Sequence, residues 1–249
     1  MSIDISEEAG VRYLHFGSDW VQGAMRIARP WSLELDYTRE MMTALLLRPE
    51  QSWPRKVLQI GLGAASVTKF LYRHRPDCKI TVVEIDPAVV PTAYQYFKLP
   101  DDPQRIHIEI ADGADFVIAN KGKYDLILVD GFDSNARAGR LDSLPFYLDC
   151  KSRLTRDGLM AVNLLSRSRK FKASVQRLGE AFDGRALAFP SCDSGNAIAF
   201  ACTGHAVEQT LDELKESARE LKTTSGLNLL PTIARIERTS YCAGGMFSL

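Results

Sequence analysis

The chain has 249 residues, 45% apolar and 25% charged, enough to bury one large core with a small appendage. Its 31 basic and 31 acidic residues cancel, which excludes the positive field that holds nucleic acid or an anionic membrane surface. No apolar run reaches the roughly 20 residues of a membrane span, and the opening Met-Ser-Ile-Asp-Ile-Ser-Glu-Glu carries no signal-peptide pattern, so a cytoplasmic protein is expected.

Residues 1–52 read as a small β-rich region. Two alternating segments, Val11–Phe16 and Val21–Ile27, lead into a predicted helix over Glu34–Leu47, where Leu35, Met42, Leu45 and Leu46 recur at helical spacing. Trp53-Pro54 marks the boundary, because the residue before a proline is pushed out of helical geometry. From Arg55 onward, strand-like runs at Val57–Ile60, Ile80–Val83, Ile106–Ile110, Tyr124–Val129 and Leu159–Leu164 alternate with helical segments near 64–74, 87–97, 113–120 and 143–154. Continuous apolar strands between helices predict a parallel sheet covered on both faces. After a helix over Lys170–Phe182, two β-rich runs, Arg185–Phe189 and Asn196–Cys202, predict an antiparallel hairpin at one sheet edge. A helix from Val207 to Leu221 follows, and then a tail whose stretch Leu227–Ile233 reads as a packed arm or a dimer contact, leaving a homodimer open. The expected fold is therefore α/β: a Rossmann-like, class I methyltransferase-type sheet with a terminal antiparallel hairpin, behind a small β-rich N-terminal region. The five cysteines show no metal-type or redox spacing and read as reduced thiols, so no metal is expected.

The chemistry concentrates at the ends of the predicted strands. The first run breaks into a tight turn at Gly61 and Gly63, and the second ends in Glu84, an acid placed for ribose hydroxyls. Residues 53–249 thus read as a nucleoside-binding α/β catalytic domain. A pyridine-nucleotide fold wants a third glycine where this chain has Ser66, and a second parallel half in place of a terminal hairpin. The hairpin, with Ala111-Asp112-Gly113-Ala114 after the third strand, is more typical of folds that bind S-adenosylmethionine and its relatives. Asp112 then takes the adenine amino group, and it also suits a helix N-cap; the two roles are compatible. The fourth strand runs out into Asp130 and Asp133, a pair suited to a cationic amine. One carboxylate can accept the proton that the amine must lose, while the other holds a second ammonium.

These motifs, in this order over residues 18–202, resemble the polyamine aminopropyltransferases, the spermidine and spermine synthases. Val57-Leu-Gln-Ile-Gly-Leu-Gly63 resembles the family's glycine loop, Val82-Val-Glu-Ile-Asp-Pro87 its ribose motif, and Tyr124 to Asp133 its catalytic strand. Leu144-Pro-Phe-Tyr147 is similar to the helix that follows, Glu40-Met-Met-Thr43 to the substrate-gate helix, and Trp20-Val-Gln22 to a hairpin whose glutamine touches the cofactor. The resemblance implies decarboxylated S-adenosylmethionine as co-substrate, held by Gln22, Gly61, Gly63, Glu84, Asp112 and Gly113. It implies Asp130 as proton acceptor, Asp133 and Tyr37 on the substrate, and a small-molecule amine as partner.

The chain also departs from the family pattern. Ala64 stands where the family's glycine loop carries an acid for the amine end of the transferred group, and Ala44 stands where many members carry a histidine. Two alternatives to aminopropyl transfer therefore stay open: methyl transfer from S-adenosylmethionine, and a non-catalytic nucleoside-binding homologue.

Overall fold

The computed structural model of the protein describes residues 2–18, 20–132, 137–190 and 195–249. Its centre is a seven-stranded sheet built from β4 (Lys56–Ile60), β5 (Lys79–Glu84), β6 (Ile106–Ile110), β7 (Tyr124–Val129), β8 (Leu154–Leu165), β9 (Ala186–Pro190) and β10 (Asn196–Cys202), in spatial order β6-β5-β4-β7-β8-β10-β9. Strands β4 to β8 pair in parallel, and β10 runs antiparallel to both β8 and β9. The terminal hairpin is thus present, and its second arm is the one that joins the sheet. Sheet order reverses between β4 and β7, the switch point where ligands of such sheets gather.

Period-two alternation splits the core between the two faces of this sheet. Leu126 and Leu128 of β7 enter one cluster, while Ile127 and Val129 enter the other. The second cluster is covered by α5 (Gly113–Ala119), α6 (Leu144–Arg153) and α7 (Phe171–Ala181), through Val117, Phe146, Tyr147 and Leu178. The first is covered by α3 (Ser66–His74) and α4 (Val89–Phe97), together with helices from both ends of the chain.

The N-terminal region is a three-stranded antiparallel sheet of β1 (Asp4–Glu8), β2 (Val11–His15) and β3 (Val21–Arg26). It sits on the main body through Leu14, Met25, Ala64 and Phe97. Strand β1, Asp-Ile-Ser-Glu-Glu, escapes a reading based on apolar alternation because it is a charged, mostly exposed edge strand. The predicted helix over 34–47 is broken in two, α1 (Asp36–Met41) and α2 (Ala44–Leu47). Met42 ends α1 with ψ near 0°, and its N–H turns back to the Arg39 carbonyl at 3.0 Å, so the chain tightens between the two.

The C-terminal part also corrects the prediction. Helix α8 (Leu211–Ser225) starts four residues later than Val207, because Thr210 and Glu213 form a reciprocal capping box. The residues before it form β11 (Glu208–Thr210), which pairs with β12 (Met246–Ser248). Between them lies α9 (Leu230–Ile236), and Leu227, Leu229, Ile233, Ile236, Phe247 and Leu249 are buried in the first cluster. The tail is a packed arm. Cys78, Cys150, Cys202 and Cys242 are buried free thiols, and Cys192 lies outside the described residues. Among the described residues no helix is long and apolar enough to cross a membrane.

Candidate active site

The carboxyl ends of β4, β5, β6, β7 and β8 open into a cavity of about 590 Å³. Gln22, Tyr37, Gly61, Gly63, Glu84, Asp112, Gly113 and Asp130 all line it, so every described site residue from the sequence reading meets there. Asp133 lies outside the described residues.

The floor is the turn between β4 and α3. Gly61 and Gly63 adopt φ of +93° and +51°, and Ala65 follows at +54°, a left-handed geometry that an alanine holds only under tight packing. Glu84, at the end of β5, is buried and holds this turn in place. Its Oε2 accepts the Leu62 N–H at 2.8 Å, and its Oε1 accepts the Asp86 N–H at 2.9 Å. Each carboxylate oxygen keeps a further lone pair for a ligand hydroxyl. Asp112 caps α5 through Oδ1, which accepts from the Ala114 and Asp115 N–H groups at 2.8 and 3.1 Å. The Oδ2 atom takes no part in the cap. Gly113 must be a glycine for packing reasons, since a Cβ there would lie 2.5 Å from the Ile60 Cγ2.

Asp130 follows β7 and is held from two sides. Tyr37 of α1 donates its hydroxyl to Oδ2 at 3.0 Å, and Asn163 of β8 donates its amide to Oδ1 at 2.9 Å. Burial pushes the Asp130 carboxyl above the ordinary carboxylate range, and the Asn163 and Tyr37 hydrogen bonds pull the other way. Burial, and then the Asp130 charge, raise the Tyr37 phenol well above its usual value, so it stays a donor.

Two participants escaped the sequence reading. Asn163 is one polar letter inside the apolar run Leu159–Leu165, and that isolation was the available signal. Arg140 sits on a 3₁₀ turn, Gly139–Asp142, and donates to Asp115 at 2.7 Å beside Asp112. The neighbouring Leu141 reaches over Gly113 and Gly131, so this turn forms one wall of the cavity. The mouth is apolar and open: Trp20 is 61% exposed and Ile85 64% exposed, a surface suited to a flat ring.

A doubly wound sheet with this hairpin and this cleft defines the class I methyltransferase-like proteins. Within that class, the spermine/spermidine synthase domain matches residues 35–178. A polyamine aminopropyltransferase of Neisseria meningitidis serogroup A is 35% identical over 247 residues, 99% of this chain and 93% of that protein. The chain belongs to the spermine/spermidine synthase family. Human methyltransferase-like protein 13, solved with SAH, matches with a TM-score of 0.69 and 27% identity over 78% of this chain and 93% of that one. A spermidine synthase solved with the transition-state analogue AdoDATO shares the fold, with a TM-score of 0.67 at 23% identity over 96% of this chain and 86% of that one.

Proposed function

We propose that this protein transfers an aminopropyl group from decarboxylated S-adenosylmethionine to a small amine. The observation that carries this reading is the half-buried Asp130 carboxylate, which lines a nucleoside-sized cavity and is fixed by Tyr37 and Asn163. Glu84 takes the ribose hydroxyls through its remaining lone pairs, Asp112 takes the adenine amino group through Oδ2, and Gln22 and the Gly61–Gly63 turn seat the sulfonium end. Tyr37 lies along the acceptor, and Asp133, by family resemblance, holds its distal ammonium. The acceptor nitrogen gives a proton to Asp130 and attacks the methylene next to sulfur. The new C–N bond forms as the C–S bond breaks, its electron pair leaves with sulfur, and methylthioadenosine is released. Orientation and proton acceptance are the protein's contributions. Incubation with each sulfonium and an amine panel tests this: methylthioadenosine is expected as product, and S-adenosylhomocysteine would refute it.

Methyl transfer from S-adenosylmethionine is the second reading, favoured by Ala64 and by the likeness to human methyltransferase-like protein 13. Ala64 is buried against Gly23, beside a pocket of about 20 Å³ shared with Gln22, Tyr37, Ser66 and Asp130. That volume is close to one water, so a longer side chain has one direction to go. Ala64→Asp is expected to strengthen binding of the decarboxylated sulfonium by roughly tenfold, since a charge-assisted hydrogen bond contributes about 1.5–3 kcal/mol and burial of the new charge offsets part of it. S-adenosylmethionine, whose own carboxylate repels the new one, should gain little. Calorimetry with both sulfoniums decides; equal gains would remove residue 64 from the transferred chain.

Glu84→Gln should weaken methylthioadenosine binding by at least about tenfold, or 1.4 kcal/mol. It should also destabilise the fold. The amide presents a donor where the carboxylate accepted an N–H from Leu62 or Asp86, a mismatch costing about 1–3 kcal/mol. Melting curves and titration calorimetry separate the two effects. Unchanged binding by a less stable protein would leave Glu84 with a purely architectural role.

A further inference from the structure

Helix α1 carries Tyr37, the hydroxyl donor to Asp130, yet it has little means of holding itself in place. It is six residues long, and its N-cap Leu35 offers no side-chain hydrogen bond. Helices this short are unstable alone, so tertiary contacts must set its rotation. Met41 supplies apolar packing. One side chain supplies something more directional. Glu40 is 2% exposed, and its Oε1 accepts from the Arg235 guanidinium of α9 while its Oε2 has no partner among the described residues. Asp36, on the same helix, also faces the Arg235 charge.

Glu40 and Tyr37 are three residues apart, neighbours on one side of α1. Any rotation or slide of α1 moves both. The buried carboxylate of Glu40 strongly resists separation from the Arg235 guanidinium, because unpaired it would be a desolvated charge. Arg235 is itself anchored, since Ile233 and Ile236 on either side of it are buried in the core under α8. A chain of contacts therefore runs from the C-terminal arm to the reacting carboxylate: α9, Arg235, Glu40, α1, Tyr37, Asp130.

We propose that Arg235 is a positioning residue, which fixes the rotation of α1 through buried Glu40 and thereby sets the Tyr37 hydroxyl on Asp130. The C-terminal arm is, on this view, part of the active-site scaffold. The consequences for turnover rest on the aminopropyl-transfer reading; the positioning itself does not.

The groups facing Asp130 among the described residues are Tyr37 from α1 and Asn163 from β8. The Tyr37 bond favours ionised Asp130, so losing it should raise the carboxyl's pKa. The test is a ¹³C NMR titration of the Asp130 carboxyl, assigned with Asp130→Asn, which needs neither substrate nor activity. Arg235→Gln should move the Asp130 titration up by about one pH unit, or tenfold in ionisation constant. Tyr37→Phe should do the same, and adding Arg235→Gln to Tyr37→Phe should do nothing more. Glu40→Gln/Arg235→Gln removes the buried charge along with its partner. It should regain stability while keeping the shifted titration, and Arg235→Lys should restore part of the wild-type value. With an active amine substrate, Arg235→Gln should raise KM for the amine about tenfold and move the acid limb of kcat/KM upward, with methylthioadenosine binding unchanged. An unshifted Asp130 titration, or shifts from Tyr37→Phe and Arg235→Gln that simply add, would overturn the proposal and leave the ion pair as a fold contact. Absence of amine turnover alongside a shifted titration would instead count against the enzymatic reading alone.

Discussion

Asp130→Asn is expected to lower turnover on any amine acceptor by roughly 10²–10⁴-fold, while methylthioadenosine binding persists. The asparagine keeps the shape of the side chain and can still meet Tyr37 and Asn163, since the Tyr37 hydroxyl can turn from donor to acceptor. It cannot take a proton from the attacking nitrogen. In the wild type, the rate should rise with pH as Asp130 ionises, and burial places that limb above the ordinary carboxylate range. The same shift has a consequence for folding. A carboxyl whose folded pKa lies above its unfolded value favours the fold most below the unfolded pKa, and that contribution is lost as pH rises through the folded pKa. Ionised Asp130 therefore weakens the fold near neutral pH. The variant should melt no lower than the wild type there, and its stability should vary less with pH across that window. Steady-state kinetics and melts over a pH series read both effects. Undiminished turnover would move the base elsewhere.

How far the site could be read from the sequence depended on where each residue's partner lay. Glu84 ends β5, Asp112 and Asp130 stand two and one residues past β6 and β7, and that local pattern is enough to bring them to one sheet edge. The hydrogen bond from Tyr37 to Asp130 joins residues 93 apart, and the one from Asn163 joins residues 33 apart. Neither separation leaves a periodic trace. Tyr37 came into view through family resemblance, and Asn163 did not come into view at all. The helical ends show the same division. The Thr210–Glu213 capping box is written in the sequence, but Val207 and Gln209 read as helical residues until β12 returns from the far end of the chain to pair with β11. The apolar residues of the tail are divided among a seven-residue helix, a turn and a three-residue strand, each too short to display a period. Arg235 shows the limit most clearly, because its partner Glu40 is 195 residues away.

Gly61→Ala should be the most damaging small substitution in the cleft. The residue sits at φ +93°, where any side chain is strained. Its N–H donates to the Val83 carbonyl at 2.8 Å, and the Asp130 N–H donates to the preceding Ile60 carbonyl at 2.9 Å, so Gly61 is locked between β5 and β7 and cannot swing aside. A Cβ added there would lie 2.9 Å from the Asp130 carbonyl carbon and closer still to its oxygen. Both neighbours are backbone, which cannot rotate away as a side chain can. Left-handed strain and overpacking together should cost about 2–4 kcal/mol, lowering the melting temperature of a chain this size by roughly 5–15 °C. The functional effect should exceed what the lost stability explains. Relief of the clash moves the Asp130 backbone, and a displacement of about 1 Å at a reacting group can cost roughly 10²-fold in rate. Folded Gly61→Ala, assayed well below its melting temperature, should therefore show both weak turnover and altered Asp130 titration. A variant that melted early but turned over normally once folded would mean that the glycine serves the fold of the turn and leaves the carboxylate where it was.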